Sequence, residues 1–157
     1  MRLTTYTDYA LRLLMFLAVE PTEAHTVAEI AAAYAISRNH LTKVAHALGR
    51  SGLINTVRGR KGGLRLGREP HLIKLGEVVS TTEAGMSLVE CFGPAGTCII
   101  TPACTLRHAL ADARKSFIDT LDRYSLADVT ANSHEIARLL GLPGVGVRNP
   151  AELAGPA

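Results

Sequence analysis

The sequence predicts a mainly α-helical fold: a winged helix-turn-helix domain with a small β-wing, plus a long C-terminal dimerisation helix. Three observations predict it. Two capped helical stretches stand one tight turn apart, and the second opens on cations, amides and hydroxyls. A short β-branched hairpin with a basic, Gly-rich tip, "RGRKGG", comes directly after them. Residues 106–121 then repeat Leu, Ala, Phe and Ile at three- and four-residue spacing.

Bulk composition agrees with this. A chain of 157 residues suits one ordinary domain, or a small domain with an extension, and buries a core without disulfides. Aromatics make up only 4% and Trp is absent, so the Ala- and Leu-rich remainder favours helix. No apolar run approaches the ~18 residues of a membrane-spanning helix. Asp8 and Arg12 interrupt the apolar N-terminal stretch and no small-residue cleavage site comes after it. A signal peptide is therefore not expected, and a cytoplasmic location is.

Charge is unevenly spread. Residues 35–75 hold nine of the seventeen Lys/Arg and one of the fourteen Asp/Glu, for +8. The remaining eight bases and thirteen acids give −5. A cationic block in an otherwise acidic chain points to a polyanion partner.

The first helix is "TDYALRLLMFLAVE", with Thr7 as the expected N-cap, Leu13, Leu14, Leu17 and Ala18 as its apolar stripe, and Pro21 ending it. Thr26 and Glu29 form an S/T-x-x-E capping box, which starts a short second helix of about nine residues. Ser37 caps the third. There Leu41, Val44, Ala45 and Leu48 share one buried face, and Arg38, Asn39, Thr42, Lys43 and His46 share the other. Arg and Asn read base edges in a major groove, while Lys and Thr hold phosphates, so this is the expected recognition helix. Ser37 and His40 belong to the same N-terminal turn.

Gly52 stops that helix. Leu53 to Val57 alternates as a strand and Leu64 to Leu66 is its return. Arg58, Arg60, Lys61 and Arg65 make the hairpin a wing that can lie along phosphates or in a minor groove. These glycines do not make a phosphate loop, since no G-x-x-x-x-G-K-[ST] string is present. A short helix from Leu75 closes the domain. After the 106–121 repeat, Ser125 caps a last short helix. The expected organisation is a winged domain over 1–82, a cluster-binding loop over 83–104, a dimerisation helix with a further short helix over 105–131, and a flexible tail over 132–157. The long helix either pairs with its own copy or folds back on the winged domain.

All three cysteines, Cys91, Cys98 and Cys104, fall in "ECFGPAGTCIITPAC". Three thiols cannot all pair, and gaps of six and five residues are too wide for a zinc knuckle. An iron–sulfur cluster tolerates such gaps, because each thiolate meets a different iron, and Gly93, Pro94, Gly96 and Pro102 let the loop curl. Three small buried hydrophobes are the plainer alternative. A three-thiolate cluster needs a fourth ligand, for which Asp8, Glu83, Glu90 and His108 are candidates. No His/Asp constellation supports a nucleophilic cysteine, so an enzyme is not expected.

The stretches "MRLTTYTDYALRLL", "SRNHLTKV", "VRGRKGGLRLG", "LGEVV" and the "C…C…TPAC" trio resemble the winged-helix family of iron–sulfur regulators, over about residues 1–131. "RNHLTKV" and "TPAC" are closer to its nitric-oxide-sensing branch than to its iron–sulfur-assembly branch. The resemblance implies a homodimeric repressor on palindromic promoter DNA. It implies a cluster, 4Fe-4S with 2Fe-2S as the alternative, on Cys91, Cys98 and Cys104, and loss of DNA binding when nitric oxide attacks it. It implies a non-cysteine fourth ligand from the first helix of the other subunit, which here is Asp8. Sensing of redox state or of iron and cluster supply is the alternative signal. The six-residue gap between Cys91 and Cys98 is longer than the resemblance leads one to expect, which bears on cluster geometry and not on the ligand set.

Overall fold

A computed structural model describes residues 2–59, 61–83, 86, 88–93 and 96–142. Its centre is helix α1 (Thr5–Val19), whose Leu13, Leu14, Phe16 and Leu17 are fully buried. A helix apolar nearly all round forms only where other elements cover it. Helix α3 (Arg38–Arg50) covers one side with Leu41, Val44 and Leu48, and α4 (Leu75–Thr82) covers another with Val78.

The N-cap of α1 is Thr4, not Thr7: the Thr4 side chain accepts from the Thr7 amide at 3.3 Å, and Thr7 itself is buried in the first turn. Helix α2 (Val27–Ala33) starts on the expected capping box, with Glu29 accepting from the Thr26 amide at 2.7 Å. It runs for seven residues rather than about nine. The turn into α3 passes through Ala35, at φ +51°. That left-handed conformation costs an L-residue about 1–2 kcal/mol and lets the Ile36 amide reach the Ala31 carbonyl at 2.9 Å. Ser37 then caps α3 as expected.

Strands β1 (Ile54–Val57) and β2 (Gly63–Leu66) pair antiparallel, with Ile54 opposite Leu66 and Val57 opposite Gly63. A single bridge, His25 to Leu64, joins this wing to the turn between α1 and α2. It holds because residue 63 lacks a side chain: a Cβ there would meet the His25 backbone at 2.7 Å.

After α4 the chain passes through the 3₁₀ turns Glu90–Phe92 and Thr101–Ala103 into α5 (Thr105–Leu121). It then returns to the winged domain. The Leu75 amide bonds the Tyr124 carbonyl at 3.0 Å and the Leu126 amide bonds the Ile73 carbonyl at 2.8 Å. Helix α6 (Leu126–Val129) has the expected Ser125 cap, made reciprocal by Asp128. The flexible tail expected from residue 132 is replaced at its start by a further helix. Helix α7 (Ser133–Leu139) buries Ala137, and Leu140 and Leu142 pack on the core beside it. Helix α7 packs against α1. The rest of that expected tail, residues 143–157, lies outside the described residues, as does Arg60 in the wing.

Gly63→Ala should lower stability by about 1–3 kcal/mol, because the backbone contact cannot relax without breaking the bridge. Gly49→Ala, in a helical site with open space around it, should raise stability by up to about 1 kcal/mol. Thermal unfolding of both variants checks the pair. A neutral Gly63→Ala would remove the His25 bridge as the wing's anchor.

Candidate functional site

Two surfaces carry the chemistry. The first is the outer face of α3 together with the wing. Arg38, Asn39, His40, Thr42, Lys43 and His46 are all exposed, while the inward face of the helix is buried. Arg58, Lys61 and Arg65 are exposed on the hairpin. Among the described residues none of Arg38, Lys43, Arg58, Lys61 and Arg65 forms an ion pair. Cations left without acidic neighbours are available to an outside anion. Two polar groups of α3 are partly committed: Ser37 caps the His40 amide, and the Thr42 hydroxyl donates to the Arg38 carbonyl at 2.9 Å.

A shallow cleft of about 390 Å³ separates α3 from β1, lined by Thr42, His46, Arg50, Asn55 and Thr56 among others. Sequence reasoning missed Arg50, Asn55 and Thr56 as members of this surface. Arg50 ends the helix four residues after His46, so helical spacing is its signal, while Asn55 and Thr56 join the surface only through the hairpin register, with Asn55 opposite Arg65.

The second surface is the segment from Glu83 to Cys104. The three cysteines are free thiols; Cys98 is exposed and Cys91 and Cys104 are half-buried, so they are not core hydrophobes. Gly96 folds back on Cys91 so closely that a Cβ would stand 2.9 Å from its Cα. Cys104 occupies the N-cap position of α5 and no side chain bonds the amides of that first turn. Within the single chain, the described residues bring no three His, Cys, Asp or Glu side chains together around one point.

The four candidate oxygen or nitrogen ligands sit differently. Asp8 is half-exposed on α1 and forked by Arg12, at 3.0 Å from Nη2 and 3.2 Å from Nε. Glu90 accepts from the Thr97 hydroxyl at 3.2 Å, and His108 is exposed on α5. Glu83, the C-cap of α4, is committed elsewhere: it accepts from the Thr4 amide at 2.7 Å and the Thr4 hydroxyl at 2.9 Å. Burial alone would raise its pKa, but hydrogen bonds from Thr7 and Thr4 outweigh burial and hold it below the usual carboxylate range. The start of the cysteine segment is thereby clasped to the N-terminus of α1, four residues before Asp8.

A recognition face and a cationic wing on this scaffold are those of a winged-helix regulator of transcription. A family model described as Rrf2, iron-dependent transcriptional regulator, matches residues 3–132, and the chain belongs to that family. It is 48% identical over 142 residues to the HTH-type transcriptional regulator NsrR of Bacillus licheniformis, covering 89% of this chain and 99% of that one. The NsrR of Bacillus subtilis is 47% identical, with 89% and 97% covered. Among solved structures, T. potens IscR superposes with a TM-score of 0.69 at 23% identity, covering 87% of this chain and 90% of that one. The global cysteine regulator CymR of B. subtilis gives 0.65 at 25% identity, covering 84% and 98%. The two NsrR relatives and CymR are named as regulators, not enzymes. No helix among the described residues is long and apolar enough to cross a membrane.

The Glu83 clasp has a pH signature. Its folded-state pKa is depressed, so its contribution is present at neutral pH and lost as pH falls through that folded value. The Thr4 amide resonance should track this titration below the usual carboxylate range and stay still in Glu83→Gln. Identical titration of Thr4 in both chains would remove Glu83 as the clasp.

Proposed function

We propose that the chain is a dimeric repressor whose hold on palindromic promoter DNA is gated by an iron–sulfur cluster that reacts with nitric oxide. One observation carries this: the segment bearing every thiol of the chain is clasped by Glu83 to the same helix that supports the unpaired cations of the recognition helix. The resemblance of residues 1–131 to the nitric-oxide-sensing branch supplies the signal, and the relatives named NsrR support it.

The residues fit the group in kind. Cys91, Cys98 and Cys104 would supply three thiolates, with Gly96 letting the loop close on Cys91. Asp8 would supply the fourth donor, an oxygen weaker than a thiolate. Arg12 presents its carboxylate and would have to share it or release it. When bound, such a cluster supplies an iron centre open to small-molecule attack. The nuclearity rests on the resemblance, 4Fe-4S rather than 2Fe-2S.

The chain's own residues transmit the change. Glu83 ties the loop to Thr4 at the start of α1, and in the first turn of that helix Tyr6 donates to the Lys43 carbonyl of α3 at 3.3 Å. Freeing or tightening the loop thus biases α1 and α3 through differential contacts, as coupling requires. Ser37, Arg38, Asn39, His40, Thr42 and Lys43 would enter the major groove, and Arg58, Arg60, Lys61 and Arg65 would track the backbone.

Helix α5 favours the dimer. None of its residues is buried in one chain, although Leu106, Leu110, Phe117, Ile118 and Leu121 recur along it. Leu106 is 63% exposed. Packing on α4 leaves Leu110, Phe117, Ile118 and Leu121 only half-covered, and such a seventeen-residue helix is best satisfied by its own copy.

Anaerobically purified protein should carry iron and a visible absorption band that nitric oxide bleaches, and Cys91→Ala should fold without iron or colour. A coloured protein inert to nitric oxide but bleached by oxygen would move the reading to redox or iron supply. A wild-type chain that takes up no iron would sink it.

A further inference from the structure

The side chain of Phe92, next to Cys91, lies between two guanidiniums of α5. The Arg107 Cζ is 5.7 Å from the ring centroid and the Arg114 Cζ is 5.4 Å from it. Seven residues span about 10.5 Å along a helix, which leaves one ring's room between two cations on the same face. Arg107 is also oddly placed. It stands in the first turn of α5, where the helix dipole disfavours a cation, and none of its partners is acidic. Its Nε is buried and has no hydrogen-bond partner among the described residues. A buried donor left unpaired is costly, so such a group is expected to meet an acceptor in the working state.

Position identifies the acceptor. Arg107 is three residues after Cys104 and stacks on Phe92, the neighbour of Cys91, so chain position and stacking tie it to two of the three thiols. We infer that Arg107 and Arg114 clamp Phe92, that the clamp positions Cys91 against α5, and that the Arg107 Nε–H is a hydrogen-bond donor reserved for a cysteine sulfur or the anionic group those sulfurs hold. Arg107 is therefore a positioning residue with a second task, tuning the potential of the site. A hydrogen bond to a ligand sulfur stabilises the more negative, reduced state and raises the potential. Arg114, with no buried orphan donor, performs the first task alone.

The inference rests on the cluster reading for the donor role, and the two fail separately. In the metal-free full-length chain, the amides of residues 92 and 93 donate to the Val89 and Glu90 carbonyls at 3.1 and 3.0 Å. Their exchange should speed up about tenfold in Phe92→Leu and in the Arg107→Ala/Arg114→Ala double variant, with exchange in α1 unchanged. Unchanged exchange at 92 and 93 in both variants overturns the clamp, whether or not the protein ever binds iron. In iron-loaded protein, Arg107→Lys keeps a cation over the ring but lacks the Nε donor. It should load iron as the wild type does and show a more negative midpoint potential, while Arg114→Lys keeps the wild-type potential. A wild-type potential in Arg107→Lys, or equal shifts in both variants, overturns the donor role. A wild-type chain without iron contradicts the donor role together with the cluster reading, and leaves the clamp to stand or fall on the exchange result.

Discussion

Burial of α1 is the constraint on which the rest depends. Its apolar faces are covered by α3 on one side, by α4 on another, and by β2, α6 and α7 around the remainder. A close-packed helix of this kind cannot shift alone, because each neighbour fills the grooves between its side chains. Truncating a fully buried residue such as Leu13 would cost about 2–5 kcal/mol. The same packing makes α1 a rigid connection between whatever grips its first turn and the recognition helix beside it. Glu83 supplies that grip and Tyr6 supplies the contact with α3.

Much of this fold is legible in the sequence because its signals are local. Thr26 with Glu29, Ser37 before a two-faced helix, and Ser125 with a carboxylate three residues on are caps decided within one turn. The choice of cap for α1 is not local. Thr4 and Thr7 are both plausible, and what decides between them is a carboxylate 79 residues away together with the burial of Thr7. Helix α7 was hidden for the same reason: its short apolar face means little until α1 is there to receive it.

The candidate site divides along the same line. Side chains on α3 are legible from spacing, since a helix that buries Leu41, Val44 and Leu48 must expose Arg38, Asn39 and Lys43. The cysteines are legible by their clustering, and their free, partly exposed thiols agree with a ligand role better than with core packing. Arg107 and Arg114 gave no signal, because they look like solvated residues of a long helix until Phe92 is placed between them. Ile99 and Ile100, both exposed beside Cys98, and the half-covered stripe of α5 belong to surfaces that one chain leaves open. In the proposed dimer these are the surfaces a second copy would cover.

The central claim is that the state of the thiol loop sets the grip on DNA. It is tested most directly on a DNA fragment enriched by the iron-loaded protein from a random pool, with affinity measured at one salt concentration for iron-loaded, nitric-oxide-treated and metal-free protein. The account expects the loaded form to bind at least about tenfold more tightly than the other two, a difference of about 1.4 kcal/mol. Equal affinity in all three states would contradict it.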